Sequence, residues 1–88
     1  MTEQNIQQEK LPIAAPLSVV KSKTIAKKAG WWQAVVLVDA WGRKMINVYL
    51  WQKKKEGWKR KQKFSIRNSA RWREISQAIN EFLPDISS

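Results

Sequence analysis

The sequence predicts an α+β domain in which an antiparallel meander of three to four strands is followed by one C-terminal amphipathic helix. Two observations lead to this fold class. Segments rich in β-branched, aliphatic and aromatic residues lie between residues 17 and 66 and are separated by short glycine-containing turns. A segment with helical periodicity follows and ends at a proline. A chain of 88 residues has room for one such domain.

The predicted organisation is a flexible N-terminal arm over residues 1–17, a folded domain over residues 18–84 and a short tail over residues 85–88. The arm is polar, rich in Gln and interrupted by prolines, and it shows neither helical nor strand periodicity. The alternative is an arm docked on the domain through Leu11, Ile13 and Leu17.

The sheet begins with two segments of different character. Residues 17–28 have the β-branched content of a strand, and their four lysines suit a sheet edge, where charge discourages association with other sheets. Residues 31–39 contain an unbroken aliphatic run, as in a central strand that is buried on both faces. Because neighbouring side chains alternate, one of Trp31 and Trp32 is expected in the core and the other in the open.

Residues 44–52 alternate between two kinds of side chain, which point to opposite faces of a strand. The even positions are aliphatic, at Ile46, Val48 and Leu50. The odd positions are Met45, Asn47, Tyr49 and Trp51, which include two aromatic rings and one amide. We therefore expect the aliphatic face to lie on the core and the aromatic-polar face to be left for water or a ligand.

Residues 58–66 form the last predicted strand, and strict alternation divides them into two sets. One set is basic, with Lys59, Lys61 and Lys63. The other set contains Trp58, Arg60, Gln62, Phe64 and Ile66, and we expect Trp58 to lie in the core. The register against the preceding strand stays open, because a slip of one residue exchanges the two faces.

Residues 69–83 are predicted to form the helix, with Asn68 or Ser69 as its N-cap and Pro84 as its end. Its apolar residues recur at helical spacing and form one stripe that is expected to cover a face of the sheet, with Trp72 in the core. The stripe consists of Trp72, Ile75, Ile79, Phe82 and Leu83.

The composition argues against an enzyme. The chain contains no Cys and no His, and its seven carboxylates are scattered, so neither a catalytic site nor a metal or cofactor site is expected. No apolar run approaches the ~20 residues that cross a bilayer, and a membrane span is not expected. The expected location is cytoplasmic or nucleoid-associated, or nuclear in a eukaryote.

The charge of the chain points instead to a polyanionic partner. The net charge is +10, and residues 41–73 hold twelve basic residues and one acidic residue. Aromatic residues are interleaved with these bases, a combination that favours single-stranded nucleic acid because phosphates attract cations and unpaired bases stack on rings. The candidate nucleic-acid-binding residues are Trp41, Arg43, Lys44, Tyr49, Trp51, Lys53, Lys59, Lys61 and Lys63.

Four stretches of the chain follow one another in a characteristic order, VVLVDAWGRK, INVYLW, EGWKRKQK and FSIRNSARWREISQAI. The segment from Val35 to Phe82 thereby resembles the positive cofactor 4 family of single-strand-binding transcriptional coactivators, to which the Whirly proteins are related in architecture. The resemblance implies a curved sheet followed by one helix. It also implies a homodimer in which two protomers build paired channels for opposing single strands.

The same resemblance implies roles for individual residues. Trp41 matches the family's aromatic residue beside the first turn, and Arg43 matches its basic residue after the glycine. Trp51 matches an aromatic residue of the second strand, and a lysine at position 61 or 63 matches the basic residue before the last short strand. Tyr49 departs from the pattern, since the family often has a basic residue there.

Together these features predict a single-stranded DNA-binding protein that acts largely without sequence specificity in transcription, replication or repair. The expected partners are single-stranded DNA, a second copy of the chain and the transcription machinery. Two alternatives stay open. One is an RNA-binding module, since the same chemistry serves both nucleic acids. The other is a basic protein-interaction module for acidic partners or an anionic membrane, and the aromatic residues would then lie at a protein interface.

Overall fold

A computed structural model describes residues 10–86 of the chain as one antiparallel sheet followed by one helix. The strands lie in the order of the sequence, which confirms the predicted α+β meander. The elements are β1 (Ser18–Lys28), β2 (Trp31–Ala40), β3 (Arg43–Lys54), β4 (Gly57–Ile66), α1 (Ser69–Phe82) and a closing 3₁₀ turn (Leu83–Asp85).

The register of β2 against β3 is regular and defines the two faces of the sheet, because residues directly opposite each other share a face. The aromatic face comprises Trp32, Ala34, Val36 and Val38 of β2 with Met45, Asn47, Tyr49 and Trp51 of β3. The aliphatic face comprises Val35 and Leu37 of β2, Ile46, Val48 and Leu50 of β3, and Phe64 and Ile66 of β4.

The core lies on the aromatic face, so the expectation that the aliphatic face is buried and the aromatic face is open was wrong. Trp32, Tyr49 and Trp51 are at most 2% exposed, whereas Ile46 is 39% exposed and Phe64 is 44% exposed. Alternate residues of the aliphatic run of β2, Val36 and Val38, join the rings in one buried cluster.

The N-terminal segment completes this core. Leu11, Ile13 and Leu17 are half-buried and pack against the aromatic cluster, which is the docked arrangement that the sequence left as an alternative. The flexible arm predicted for residues 1–17 is therefore not what is found for residues 10–17. The remainder of that prediction, residues 1–9, lies outside the described residues, as do residues 87 and 88 of the predicted tail.

β4 carries an irregularity that the strict alternation did not anticipate. Gln62 lies opposite Leu50 while Arg60 lies opposite Trp51, so Lys61 is the extra residue of a β-bulge. The prediction that Lys59, Lys61 and Lys63 share one face was therefore wrong. The bulge places Arg60 on the aromatic face together with Trp58 and Lys63, whereas Lys59 and Gln62 lie on the aliphatic face.

Helix α1 begins as predicted, with the Asn68 side chain accepting a hydrogen bond from the Arg71 backbone N–H at 2.8 Å. Its apolar stripe, however, is not buried: Trp72 is 41% exposed and Phe82 is 64% exposed. The assignment of Trp72 to the core was wrong, because within residues 10–86 the helix adjoins the sheet only at β4 and buries none of its residues. None of the described helices is long and apolar enough to span a bilayer.

Candidate nucleic-acid interface

The turn between β2 and β3 presents a tryptophan to solvent. Trp41 is 84% exposed, and both turn residues have positive φ, 54° at Trp41 and 82° at Gly42. Positive φ at both central residues is the pattern of type I′ hairpin turns, whose twist matches that of the strands. The Asp39 side chain accepts a hydrogen bond from the Gly42 N–H at 2.8 Å and so helps to hold the turn. The turn therefore holds the backbone of Trp41 in place while its ring is exposed to solvent.

Three basic side chains accompany Trp41 at this end of the sheet. Arg43 and Lys44 follow the turn, and Arg67 follows the end of β4. Ile66 lies opposite Ile46, which brings the chain after β4 back beside the start of β3. One open cleft, with a volume of about 410 Å³, is lined by these three basic residues and Trp41. We call these four residues the turn site.

Charge in the turn site is positive and only partly compensated. Lys44 Nζ lies 3.5 Å from Asp39 Oδ2, an exposed pair that contributes little to stability. The two arginines leave the site with an excess of cationic groups beside an exposed ring. Sequence reasoning missed Arg67, because only the antiparallel return of β4 reveals its position. Its basic character and its place directly after the strand were the available signal.

A second aromatic group lies on the aromatic face and is buried. The ring centroids of Tyr49 and Trp51 are 5.0 Å apart with their planes 10° from parallel. Trp32 lies 5.0 Å from Trp51 and 5.4 Å from Trp58, in tilted and edge-on arrangements. The expectation that Tyr49 and Trp51 form an open surface is corrected by this burial. Trp58, expected in the core, is half-buried against the same cluster.

Hydrogen bonding within this cluster is incomplete. Trp32 Nε1 donates to Thr24 Oγ1 at 3.1 Å, and Asn47 Nδ2 donates to Tyr49 Oη at 3.0 Å. Asn47 Oδ1 and Trp51 Nε1 are also buried, but neither has a partner among residues 10–86. A buried polar atom without a partner costs about 1–3 kcal/mol, so this part of the core carries an energetic penalty.

Basic side chains border the aromatic cluster on both sides. Lys27 Nζ of β1 lies 3.9 Å from the centroid of the Trp32 ring, and Lys53 Nζ lies 5.2 Å from that of Trp58. These are cation–π distances. On the opposite side, the register places Arg60 across from Trp51 and Lys63 across from Tyr49, and both are exposed.

The nine residues predicted to bind nucleic acid therefore do not form one patch. Trp41, Arg43 and Lys44 come together in the turn site. Tyr49 and Trp51 are in the core, with Lys53 and Lys63 at its border. Lys59 lies on the aliphatic face and Lys61 lies in the bulge of β4, so strand alternation alone could not place them.

No family model, curated protein sequence or solved structure matches this chain. The resemblance to the positive cofactor 4 family accordingly stays a prediction from sequence pattern and element order.

Proposed function

We propose that this protein binds single-stranded DNA, largely without sequence preference, and that it is a binding protein and not an enzyme. The observation that carries the proposal is Trp41, which is 84% exposed in a tight turn and shares a cleft with Arg43, Lys44 and Arg67. A ring flanked by cations matches a nucleotide, since it offers a stacking surface for the base and charge for the phosphate.

The conformation of Trp41 supports a functional role for the ring. A bulky residue with positive φ is uncommon, because its Cβ crowds the backbone. Asn, Asp or Gly would suit the turn better. Trp41 therefore combines a strained backbone with an exposed apolar side chain, and neither feature stabilises the fold. Contact with a base would give the ring a use, and a base can stack on it only when it is unpaired.

Electrostatics support a nucleic acid over a neutral partner. The chain carries a net charge of +10, and each phosphate neutralised by Lys or Arg releases counterions, which gives affinity that is independent of sequence. Specific reading of duplex DNA usually depends on a helix placed in the major groove. The exposed residues of α1 include Glu74 and Glu81 beside Arg71 and Arg73, together with apolar residues, so the helix lacks the predominantly basic face that such a role requires.

The functional unit in this proposal is a homodimer built on the aliphatic face. Ile46 and Phe64 on that face, and Trp72, Ile79 and Phe82 on the helix, are 39% to 64% exposed. Exposed apolar area of this kind marks an interaction surface.

The two exposed apolar surfaces of the same chain favour a second copy as the partner. Glu81 and Asp85 lie at the C-terminal end of the helix and in the following 3₁₀ turn, whereas its first half carries Arg71, Arg73 and Glu74, with Arg71 Nε 3.5 Å from Glu74 Oε1. The rim of the aliphatic face is basic, with Lys21, Lys23, Lys44 and Lys59 placed there by the register. The helix of one copy against the aliphatic face of another would thus join apolar to apolar and place Glu81 and Asp85 near the basic rim. The resemblance to the positive cofactor 4 family suggests transcription, replication or repair as the setting, with a cytoplasmic, nucleoid-associated or nuclear location.

The proposal is tested by fluorescence anisotropy of a labelled oligothymidine, with a duplex and a matched RNA as competitors. The expected result is binding that weakens with salt, with the single strand bound at least about tenfold more tightly than duplex because stacking requires free bases. Equal affinity for duplex would contradict the stacking argument. Tighter binding of the RNA would assign the site to RNA instead.

A further inference from the structure

The segment Lys10–Leu17, which we call the N-terminal strap, lies against the most aromatic part of the molecule. Its three aliphatic residues pack on the buried cluster that contains Trp32, Tyr49 and Trp51. The other five residues of the strap are exposed. The strap thus packs on this cluster through Leu11, Ile13 and Leu17, while its remaining residues face solvent.

The strap is attached by side chains and not by the sheet ladder. Its backbone hydrogen bonds are local: Ile13 N–H donates to Leu11 O at 2.8 Å, and Leu17 N–H donates to Ala14 O at 3.3 Å. Between residues 10 and 86, no backbone hydrogen bond joins the strap to a strand. Lifting the strap therefore breaks apolar contacts but leaves the paired backbone of the sheet intact.

The cluster on which the strap packs, with its basic border, has the chemistry of a single-strand-binding surface. Tyr49 and Trp51 form a parallel stack, and the register places Arg60 and Lys63 beside them. Two buried polar atoms have no hydrogen-bond partner in the described part of the chain: the donor Trp51 Nε1 and the acceptor Asn47 Oδ1. Aliphatic strap residues cannot satisfy either atom, whereas nucleobases carry both donors and acceptors.

We propose that the N-terminal strap is an autoinhibitory cover that competes with single-stranded DNA for the aromatic face. The inference rests on the proposed function, because it takes binding at the turn site as the first contact. Bound DNA then displaces Leu11, Ile13 and Leu17, its bases stack on the exposed rings, and its phosphates meet the basic residues of the border. The apparent affinity is then the intrinsic affinity of the open form multiplied by the fraction of molecules in which the strap is open.

Hydrogen exchange of the full-length protein, with and without saturating oligothymidine, tests this competition directly. The amides of Ile13 and Leu17 should exchange faster in the complex, since a lifted strap loses the packing that holds its local hydrogen-bonded turns. Most ligands slow exchange at their binding site, so acceleration is a distinctive signature. Unchanged or slower exchange at both amides would overturn the inference.

A variant pair provides an independent measurement. Leu11→Ser with Ile13→Ser removes two apolar anchors, and Ala14→Ser with Ala15→Ser is the matched control at exposed strap positions. The anchor variant should make more tryptophan fluorescence accessible to acrylamide and bind oligothymidine about tenfold more tightly, as expected if the strap is open in a small fraction of wild-type molecules. The control should match wild type.

The outcomes separate the two proposals. If wild type binds oligothymidine and the anchor variant shows more accessible rings but unchanged affinity, the strap is not a competitor, while the proposed function stands. If wild type shows no salt-dependent binding to any oligonucleotide, the proposed function fails and the competition falls with it. If circular dichroism shows that the double variant is unfolded, the single variant Leu11→Ala takes its place. Hydrogen exchange of the wild-type protein then decides whether the strap is displaced.

Discussion

Trp51 stacks on Tyr49, two residues earlier in β3, with the ring centroids 5.0 Å apart and the planes 10° from parallel. Both rings are buried, and both belong to the same cluster as Trp32. The stack is therefore part of the buried core of the sheet, on which the N-terminal strap packs. Removing the stack should therefore lower the free energy of unfolding of the ligand-free protein.

We expect Trp51→Ala to destabilise the protein by about 3–5 kcal/mol, the usual cost of removing a large aromatic residue from a core. Urea denaturation followed by circular dichroism measures this change. Trp51→Phe is the matched control, because it keeps a ring in the stack and should lose much less stability. An unchanged urea midpoint for the alanine variant would contradict the burial of this ring.

Trp41 allows function to be separated from stability. We expect Trp41→Asn to weaken oligothymidine binding, since stacking on one ring contributes about 1–3 kcal/mol. The same change should leave stability unchanged or raise it, because Asn-Gly is a preferred type I′ turn. Anisotropy and thermal unfolding measure the two effects. Trp41→Phe keeps a ring and should retain most of the binding; a loss as large as that of the Asn variant would argue against stacking.

The basic residues of the turn site should act through phosphates. Arg43→Ala and Arg67→Ala are each expected to reduce the slope of log affinity against log salt by about 1, as for the loss of one phosphate contact. Lys55→Ala is the matched control in the β3–β4 turn at the opposite end of the sheet. An equal reduction for Lys55 would mean that net charge alone sets the salt dependence.

The aliphatic face should control association. In sedimentation equilibrium, wild type is expected at twice the mass of the chain, and Trp72→Glu at the mass of the chain, because a carboxylate on an apolar interface must be desolvated. Ile25→Glu is the control, since Ile25 is 57% exposed on the edge strand β1. If wild type is monomeric at high concentration, the aliphatic face is not a dimer interface.

Much of the fold was predictable because its signals are local. The glycine-containing turns, the alternation of β3 and the Asn68 cap each depend on a few neighbouring residues. The exposed position of Trp41 was predictable for the same reason, since a turn residue is difficult to bury. The prediction that one of Trp31 and Trp32 is buried is also confirmed, with Trp32 at 2% and Trp31 at 40% exposed.

The candidate site was less predictable because it depends on distant residues. Arg67 reaches the turn site only through the pairing of β4 with β3. The bulge at Lys61 changes which lysines share a face, and a single extra residue in a strand leaves no clear trace in composition.

The sequence by itself determined the order of the elements, their approximate bounds and the basic, aromatic character of the chain. Alternation along β3 also determined that the sheet has one aliphatic and one aromatic face. Only the tertiary structure decided which of these faces is buried. The physical reason is that burial depends on what covers a face, and here the N-terminal strap, which is remote in sequence, packs on the buried cluster of the aromatic face, while α1 leaves the aliphatic face half-exposed.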